Sequence, residues 1–156
     1  MKFKVFLNAI IIFTLDLLTK SMVFSYLLYG KSKTIISNFF SLVPTKNTGA
    51  AFSIFSDANI FLIIVSVLIL VYLLYLLNKQ INFNKLNIIS YGLLIGGLLG
   101  NLYDRIIYKY VRDFFSFKIF NYDFAIFNVA DIAICLGAIL LIITLFKEGR
   151  KNEVNK

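Results

Sequence analysis

The sequence predicts an all-α integral membrane protein, with four transmembrane helices and a small β-like extracytoplasmic cap between helices 1 and 2. Three observations predict it. Hydrophobic residues make up 60% of the 156 and charged residues only 15%, against about half and a quarter in a soluble domain. Four segments are long and apolar enough to cross a hydrocarbon core of about 30 Å, which takes about 17 to 25 helical residues. The connection at residues 30–57 is too long for a turn and too apolar for a disordered linker. Length makes the chain one domain, residues 1–156.

The first span, residues 3–29, is interrupted by Asp16, Thr19 and Lys20. It is too long and too charged late in its course for a cleavable signal peptide, and no small-residue cleavage site follows. Within the next connection, Thr34-Ile35-Ile36 and Phe39-Phe40-Ser41-Leu42-Val43 are β-prone, and Pro44 then marks a turn. These stretches form the expected cap, lying on the membrane surface. The second span, residues 58–77, carries no charge, and a short connection leads to the third at 86–103. A polar connection at 104–124 holds Arg105, Arg112, Asp113 and Asp123, and the fourth span covers 125–146. The polar tail at 147–156 is expected to fray.

Four spans put both termini on one side. Lysine and arginine outside the spans divide eight (residues 2, 4, 79, 85, 147, 150, 151 and 156) against seven (31, 33, 46, 105, 109, 112 and 118). This small excess, larger once Arg105 and Arg112 are set aside as site residues, favours cytoplasmic termini and an extracytoplasmic site. The net charge of +8 is spread between apolar segments rather than gathered on one patch. It reads as headgroup attraction and topology, with no nucleic-acid partner.

With no histidine and only Cys135, disulfides, Cys/His zinc sites and Ser–His or Cys–His catalytic pairs are excluded within one chain. Cys135, among Ala133, Ile134, Leu136 and Gly137, reads as inert helix packing. An enzyme built on this chain must draw its acid and base from carboxylates, Lys, Tyr or a metal. Asp131 lies about 9 Å into the fourth span, at about 1.5 Å per residue. A carboxylate there is costly unless paired, protonated or hydrated, and so marks a candidate site. Asp113 lies in the segment leading to that span. Two converging carboxylates suggest activation of water through a shared proton.

Asp16 and Lys20 are four apart on one helix face, either as a structural ion pair or as lining of the site. Asn47-Thr48-Gly49-Ala50-Ala51-Phe52 suits a turn with close chain approach. Gly92, Gly96 and Gly100 form a small-residue stripe for tight helix contact. Asn101, Asp104 and Arg105 share a face, and Arg105 could pair with Asp104 or offer its fork of donors to a substrate. Asn128 and Asp131 are three apart on another face, and all these polar groups fall toward one end of the bundle.

In order, Asp16-x-x-Thr19-Lys20, Asn47-x-Gly49-Ala50-Ala51-Phe52, Gly96-Gly97-x-x-Gly100-Asn101-x-x-Asp104-Arg105, Val111-x-Asp113-Phe114 and Phe127-Asn128-x-Ala130-Asp131 resemble the motifs of bacterial lipoprotein signal peptidase, the signal peptidase II family. The resemblance implies a membrane aspartic endopeptidase that removes signal peptides from prolipoproteins, cleaving on the amino side of a diacylglyceryl-modified cysteine. It implies a catalytic pair of Asp113 and Asp131, with Asn101, Arg105 and Asn128 holding substrate. Asp16, Lys20, Asn47, Gly49, Gly97 and Asp104 would support the site, with no metal or other cofactor. The implied partners are lipidated prolipoproteins, membrane lipid and cyclic-peptide inhibitors of the globomycin type. The implied setting is a monomer in the bacterial cell (inner) membrane. The residues alone admit two other readings, a small proton-coupled membrane transporter and a non-enzymatic membrane assembly factor. A proton-coupled transporter would need polar groups through the full thickness, and an assembly factor would leave the Asp/Asn/Arg cluster without a purpose.

Overall fold

The structure, a computed structural model, describes residues 1–29, 31–49, 58–80, 84–120 and 122–154, the side chains of 148–154 excepted. The elements run α1 (Lys2–Tyr26), β1 (Lys33–Ile36), β2 (Phe40–Asn47), α2 (Asn59–Lys79), α3 (Lys85–Ile107), β3 (Val111–Ile119), β4 (Tyr122–Asp123) and α4 (Val129–Val154). All four helices are long and apolar enough to cross a membrane. Residues 50–57, which include the Ala50-Ala51-Phe52 part of one sequence motif, lie outside the described residues.

Helix α3 is the axle of the bundle. It begins on an Asn84 cap, whose side chain accepts from Asn87 N at 2.8 Å, and it is buried along most of its length between α1 and α4. Its glycines allow that. A Cβ on Gly96 would sit 2.6 Å from the Ala9 carbonyl oxygen of α1, and one on Gly97 2.6 Å from the Ala130 carbonyl oxygen of α4. In lipid, where apolar burial does not drive helices together, such close backbone approach supplies the packing energy. The stripe at Gly92, Gly96 and Gly100 faces α1, whereas Gly97 faces α4.

Chemistry divides the bundle along its length. Val5 and Ala9 of α1, Leu73 and Leu77 of α2, and Tyr91, Leu94, Ile95 and Leu98 of α3 form one apolar core. Lys2 Nζ reaches Asn78 Oδ1 at 2.7 Å, tying the start of α1 to the end of α2 at that end. Most of the buried polar residues gather toward the sheet, namely Asp16, Lys20, Asn101, Asp104, Arg112, Asp113 and Asn128, while Asn87, Ser90 and Thr144 lie elsewhere. The outward faces carry Ile10, Ile60, Leu68, Ile139 and Ile142, all exposed, as a hydrocarbon solvent requires.

The cap is a four-stranded antiparallel sheet in the order β1-β2-β3-β4. Strands β1 and β2 come from the connection where the cap is expected, and Asn38, at φ 57°, makes the turn between them. Strands β3 and β4 come from the connection between α3 and α4, outside the expected cap. Pro44 is not a turn after the strand but a buried member of β2. The β2–β3 register slips between Leu42 and Thr45, and this irregularity admits a residue with no N–H to give the ladder. Phe40, Phe115, Phe117 and Phe127 pack on one another, with the Phe117 and Phe127 rings stacked at 5.7 Å.

The fourth helix corrects one expectation. It starts at Val129 rather than 125, because Phe127 bridges to Phe115 of β3 in extended form. Its helical backbone runs on to Val154.

Replacing Gly97 with Ala is expected to destabilise the protein by about 1–3 kcal/mol through overpacking, read as a lower unfolding midpoint in detergent micelles. An unchanged midpoint would mean that the α3–α4 seam has room to spare.

Candidate active site

Each polar side chain reaches the site from an element whose local structure fixes it. Asn128 and Asp131 begin α4 as a reciprocal cap. Asp131 N donates to Asn128 Oδ1 at 3.0 Å, and Asn128 N donates to Asp131 Oδ2 at 3.1 Å. Asp131 therefore lies in the first turn, not about 9 Å along the helix, and capping is one of its roles. The cap turns Asn128 Nδ2 toward β3, where it donates to Asp113 Oδ1 at 2.6 Å. Asp113 Oδ2 accepts from Asn47 Nδ2, at the end of β2, at 2.9 Å. Asn101 of α3 donates through Nδ2 to Asp131 Oδ1 at 2.7 Å.

The orientation of Asn101 is forced. Its Oδ1 accepts from Lys20 Nζ at 3.1 Å and from Asn128 Nδ2 at 3.2 Å. An ammonium can only donate, so the amide must present its NH2 to Asp131. Lys20, fully buried, also pairs with Asp16 Oδ2 at 2.7 Å and with Asp104 Oδ2 at 3.2 Å. Asp16 in turn accepts from Ala130 N through Oδ1 at 2.9 Å. The charged pair in the first span thus docks the start of α4. Gly100 leaves the space for it, since a Cβ there would collide with Asp16 Oδ2.

Asp104 is held by Arg112 of β3, which donates from Nη2 to Oδ1 at 2.8 Å and from Nε at 3.1 Å. Arg105 does not pair with it. Arg105 Nη2 instead donates to the Gly49 carbonyl oxygen at 3.2 Å, while Gly49 N donates to Asn47 Oδ1 at 2.9 Å. The pairing of Arg112 with Asp104 has no signature in the sequence, because eight residues separate the two across a helix end and a turn. No helical or strand period links such a pair.

A cavity of ≈ 480 Å³ opens between the sheet and α4. Asn47, Asn101, Arg105, Asp113 and Asp131 line its polar end, and Phe124, Ile126, Phe127, Ile132, Cys135 and Leu136 its apolar wall. Cys135 is therefore not inert packing. It lies one helical turn beyond Asp131, exposed and on the cavity wall. Of the residues singled out in the sequence, Asn47, Asn101, Arg105, Asp113 and Asp131 line the cavity. Asn128 bridges the two carboxyl groups from behind. Asp16, Lys20, Asp104 and Gly97 lie beneath them in the packing.

Burial, then the nearby Asp131 carboxylate, push the Asp113 carboxyl up to about 7 despite the amides of Asn47 and Asn128. A folded-state value above that of the unfolded chain means that folding takes up a proton. The contribution of Asp113 to stability therefore falls as pH rises from about 4 to about 7. The melting temperature of wild type relative to Asp113→Asn is expected to decline between pH 5 and 7 and to level off above that. A difference independent of pH would show that Asp113 ionises normally in the folded protein.

The sequence pattern of the signal peptidase (SPase) II family matches residues 8–147. Lipoprotein signal peptidases of Francisella tularensis subsp. novicida (strain U112) and subsp. mediasiatica (strain FSC147) are each 42% identical over 146 residues, covering 90% of this chain and 90% of theirs. Two solved bacterial membrane enzyme structures, obtained by the in meso method at 2.3 and 1.9 Å resolution, share the fold. The first has a TM-score of 0.86 at 35% identity, over 93% of this chain and 88% of its own. The second has a TM-score of 0.82 at 36% identity, over 92% of each.

Proposed function

The chain belongs to the signal peptidase II family of membrane peptidases, which removes signal peptides from prolipoproteins, and from that premise we propose that Asp113 and Asp131 cleave the peptide bond as an aspartic pair. One observation carries the assignment: two carboxyl groups from different elements face one cavity, joined through a single asparagine that contacts both.

Two neighbouring carboxyls share one proton. With a value of about 7, Asp113 holds it near neutrality, and Asp131 acts as the base. The Asp131 carboxylate takes a proton from water as the water oxygen attacks the scissile carbonyl carbon. Asp113 gives its proton to the carbonyl oxygen, so the tetrahedral intermediate is a neutral diol. On collapse Asp131 passes its proton to the leaving nitrogen, Asp113 recovers one from a diol hydroxyl, and the C–N bond breaks. Both carboxyls then return to their starting states. Asn101 and Asn128 hold the pair in register, and the remaining donors of the Arg105 guanidinium are available to a substrate carbonyl.

The apolar wall suits a substrate that is part helix and part lipid, here a prolipoprotein cut on the amino side of its diacylglyceryl-modified cysteine. The same cavity would take a globomycin-type cyclic peptide. The site faces the extracytoplasmic side, with both termini cytoplasmic, and one chain supplies every group named, so the monomer suffices. No metal or other cofactor enters the scheme.

Asp113→Asn and Asp131→Asn are each expected to lower kcat by about 10²- to 10⁴-fold while the protein still inserts and folds. Turnover near wild type in either purified variant would sink the aspartic assignment. In wild type, kcat/KM is expected to fall as pH rises above about 7, where Asp113 loses the proton it must donate. A profile flat from pH 6 to 9 would contradict its role as the acid. Incubation with a diacylglyceryl-modified prolipoprotein and with its unlipidated form tests the substrate. Cleavage of the lipidated form alone is expected, and equal cleavage of both would count against a lipid requirement.

A further inference from the structure

We propose that Arg112 is a positioning residue for both carboxyl groups, acting through Asp104. The proposal rests on the aspartic reading of the site. Arg112 is 6% exposed and Asp104 wholly buried. Nothing obliges a membrane protein to bury such a pair, and replacing one with apolar residues is often neutral or stabilising. This pair also has more contacts than charge balance requires. Arg112 Nε lies 3.1 and 3.3 Å from the two Asp104 oxygens and Nη2 lies 2.8 Å from Oδ1. The backbone N of Arg112 donates to Asp104 Oδ2 at 3.0 Å. The guanidinium carbon lies over the Tyr108 ring, 4.5 Å from its centroid. Side chain and main chain of one residue thus grip one carboxylate.

Two lines run from that grip to the site. The first is covalent: Arg112 precedes Asp113 in β3, so locking its backbone to the last turns of α3 sets where Asp113 leaves the strand. The second is electrostatic. Asp16, Lys20, Asp104 and Arg112 form a buried set of two negative and two positive charges. With the Arg112 charge removed, the one ion pair left to Asp104 among the described residues would be that with the Lys20 ammonium, 3.2 Å away. That pull acts against the 3.1 Å contact of Lys20 with Asn101 Oδ1, which turns the Asn101 amide toward Asp131. Arg112 therefore touches neither substrate nor the reacting atoms, yet it sets the position of both carboxyls.

The test compares Arg112→Met and Arg112→Lys in the purified full chain, measuring kcat and KM per folded molecule on lipidated prolipoprotein, with the melting temperature alongside. A misplacement of the pair by about 1 Å is expected to lower kcat about 10²-fold, with KM little changed. Lysine is expected to recover much of the melting temperature but little of kcat, because a point-charge ammonium does not reproduce the planar fork of a guanidinium. Should Arg112→Met fail to fold, Arg112→Lys decides alone. Wild-type kcat in folded Arg112→Lys, or recovery of kcat in step with the melting temperature, would overturn the proposal and leave Arg112 a structural residue. Failure of the aspartic reading looks different, because it appears as turnover in Asp113→Asn or Asp131→Asn whatever Arg112 does.

Discussion

A lysine without access to water organises this half of the molecule. The Lys20 ammonium is 0% exposed, and an ion so placed persists only if its surroundings replace its hydration shell. Asp16, Asp104 and Asn101 supply those contacts from two helices. Each of them then carries the constraint further. Asp16 reaches the first turn of α4, Asp104 reaches β3 through Arg112, and Asn101 reaches Asp131. The need to satisfy one cation thus ties α1, α3, α4 and the sheet to a common centre.

Tight helix contact makes this possible. Asp16 can approach α3 only because Gly100 has no side chain to obstruct it, and α4 can approach only because Gly97 has none. Small residues are the usual means of close approach in lipid, but here they stand beside charge. The glycines exclude from the network the space that lipid would otherwise fill. The polar groups in turn keep the α3–α4 pair in one register, since a one-residue slip would break the contacts of Asn101 with Asn128 and Asp131 together. At the other end an apolar core does the ordinary work of packing, leaving the polar end to hold the proposed catalytic pair.

Much of this was legible in the residues. The four spans follow from runs of Leu, Ile, Val and Phe, and their charges stand out against that background. With no histidine, chemistry falls to the carboxylates. Legibility failed where partners lie on different elements. Arg112 and Asp104 meet around the turn between α3 and β3, and Arg105 points past Asp104 to the Gly49 carbonyl. Strand β3 was hidden because its partner β2 lies in another connection, some 70 residues earlier at Thr45↔Asp113, and pairing over that distance leaves no local period. Pro44 lies within β2 for the related reason that a bulge, invisible in the sequence, can admit a proline to a strand.

By itself the sequence determined that this chain lives in a membrane, how many times it can cross, and which side chains are too costly in lipid to be there without purpose. Those are properties of single residues and short runs, governed by transfer from water to hydrocarbon and by helical period. Tertiary structure alone decided what each costly group does. It placed Asp113 and Asp131 on one cavity, made Asn128 the contact between them, turned Asn101 by the charge of Lys20, and gave Asp104 to Arg112 rather than to its neighbour Arg105. Hydrogen bonds and ion pairs depend on distance and direction, and here both arise from helices and strands brought together from distant parts of the chain.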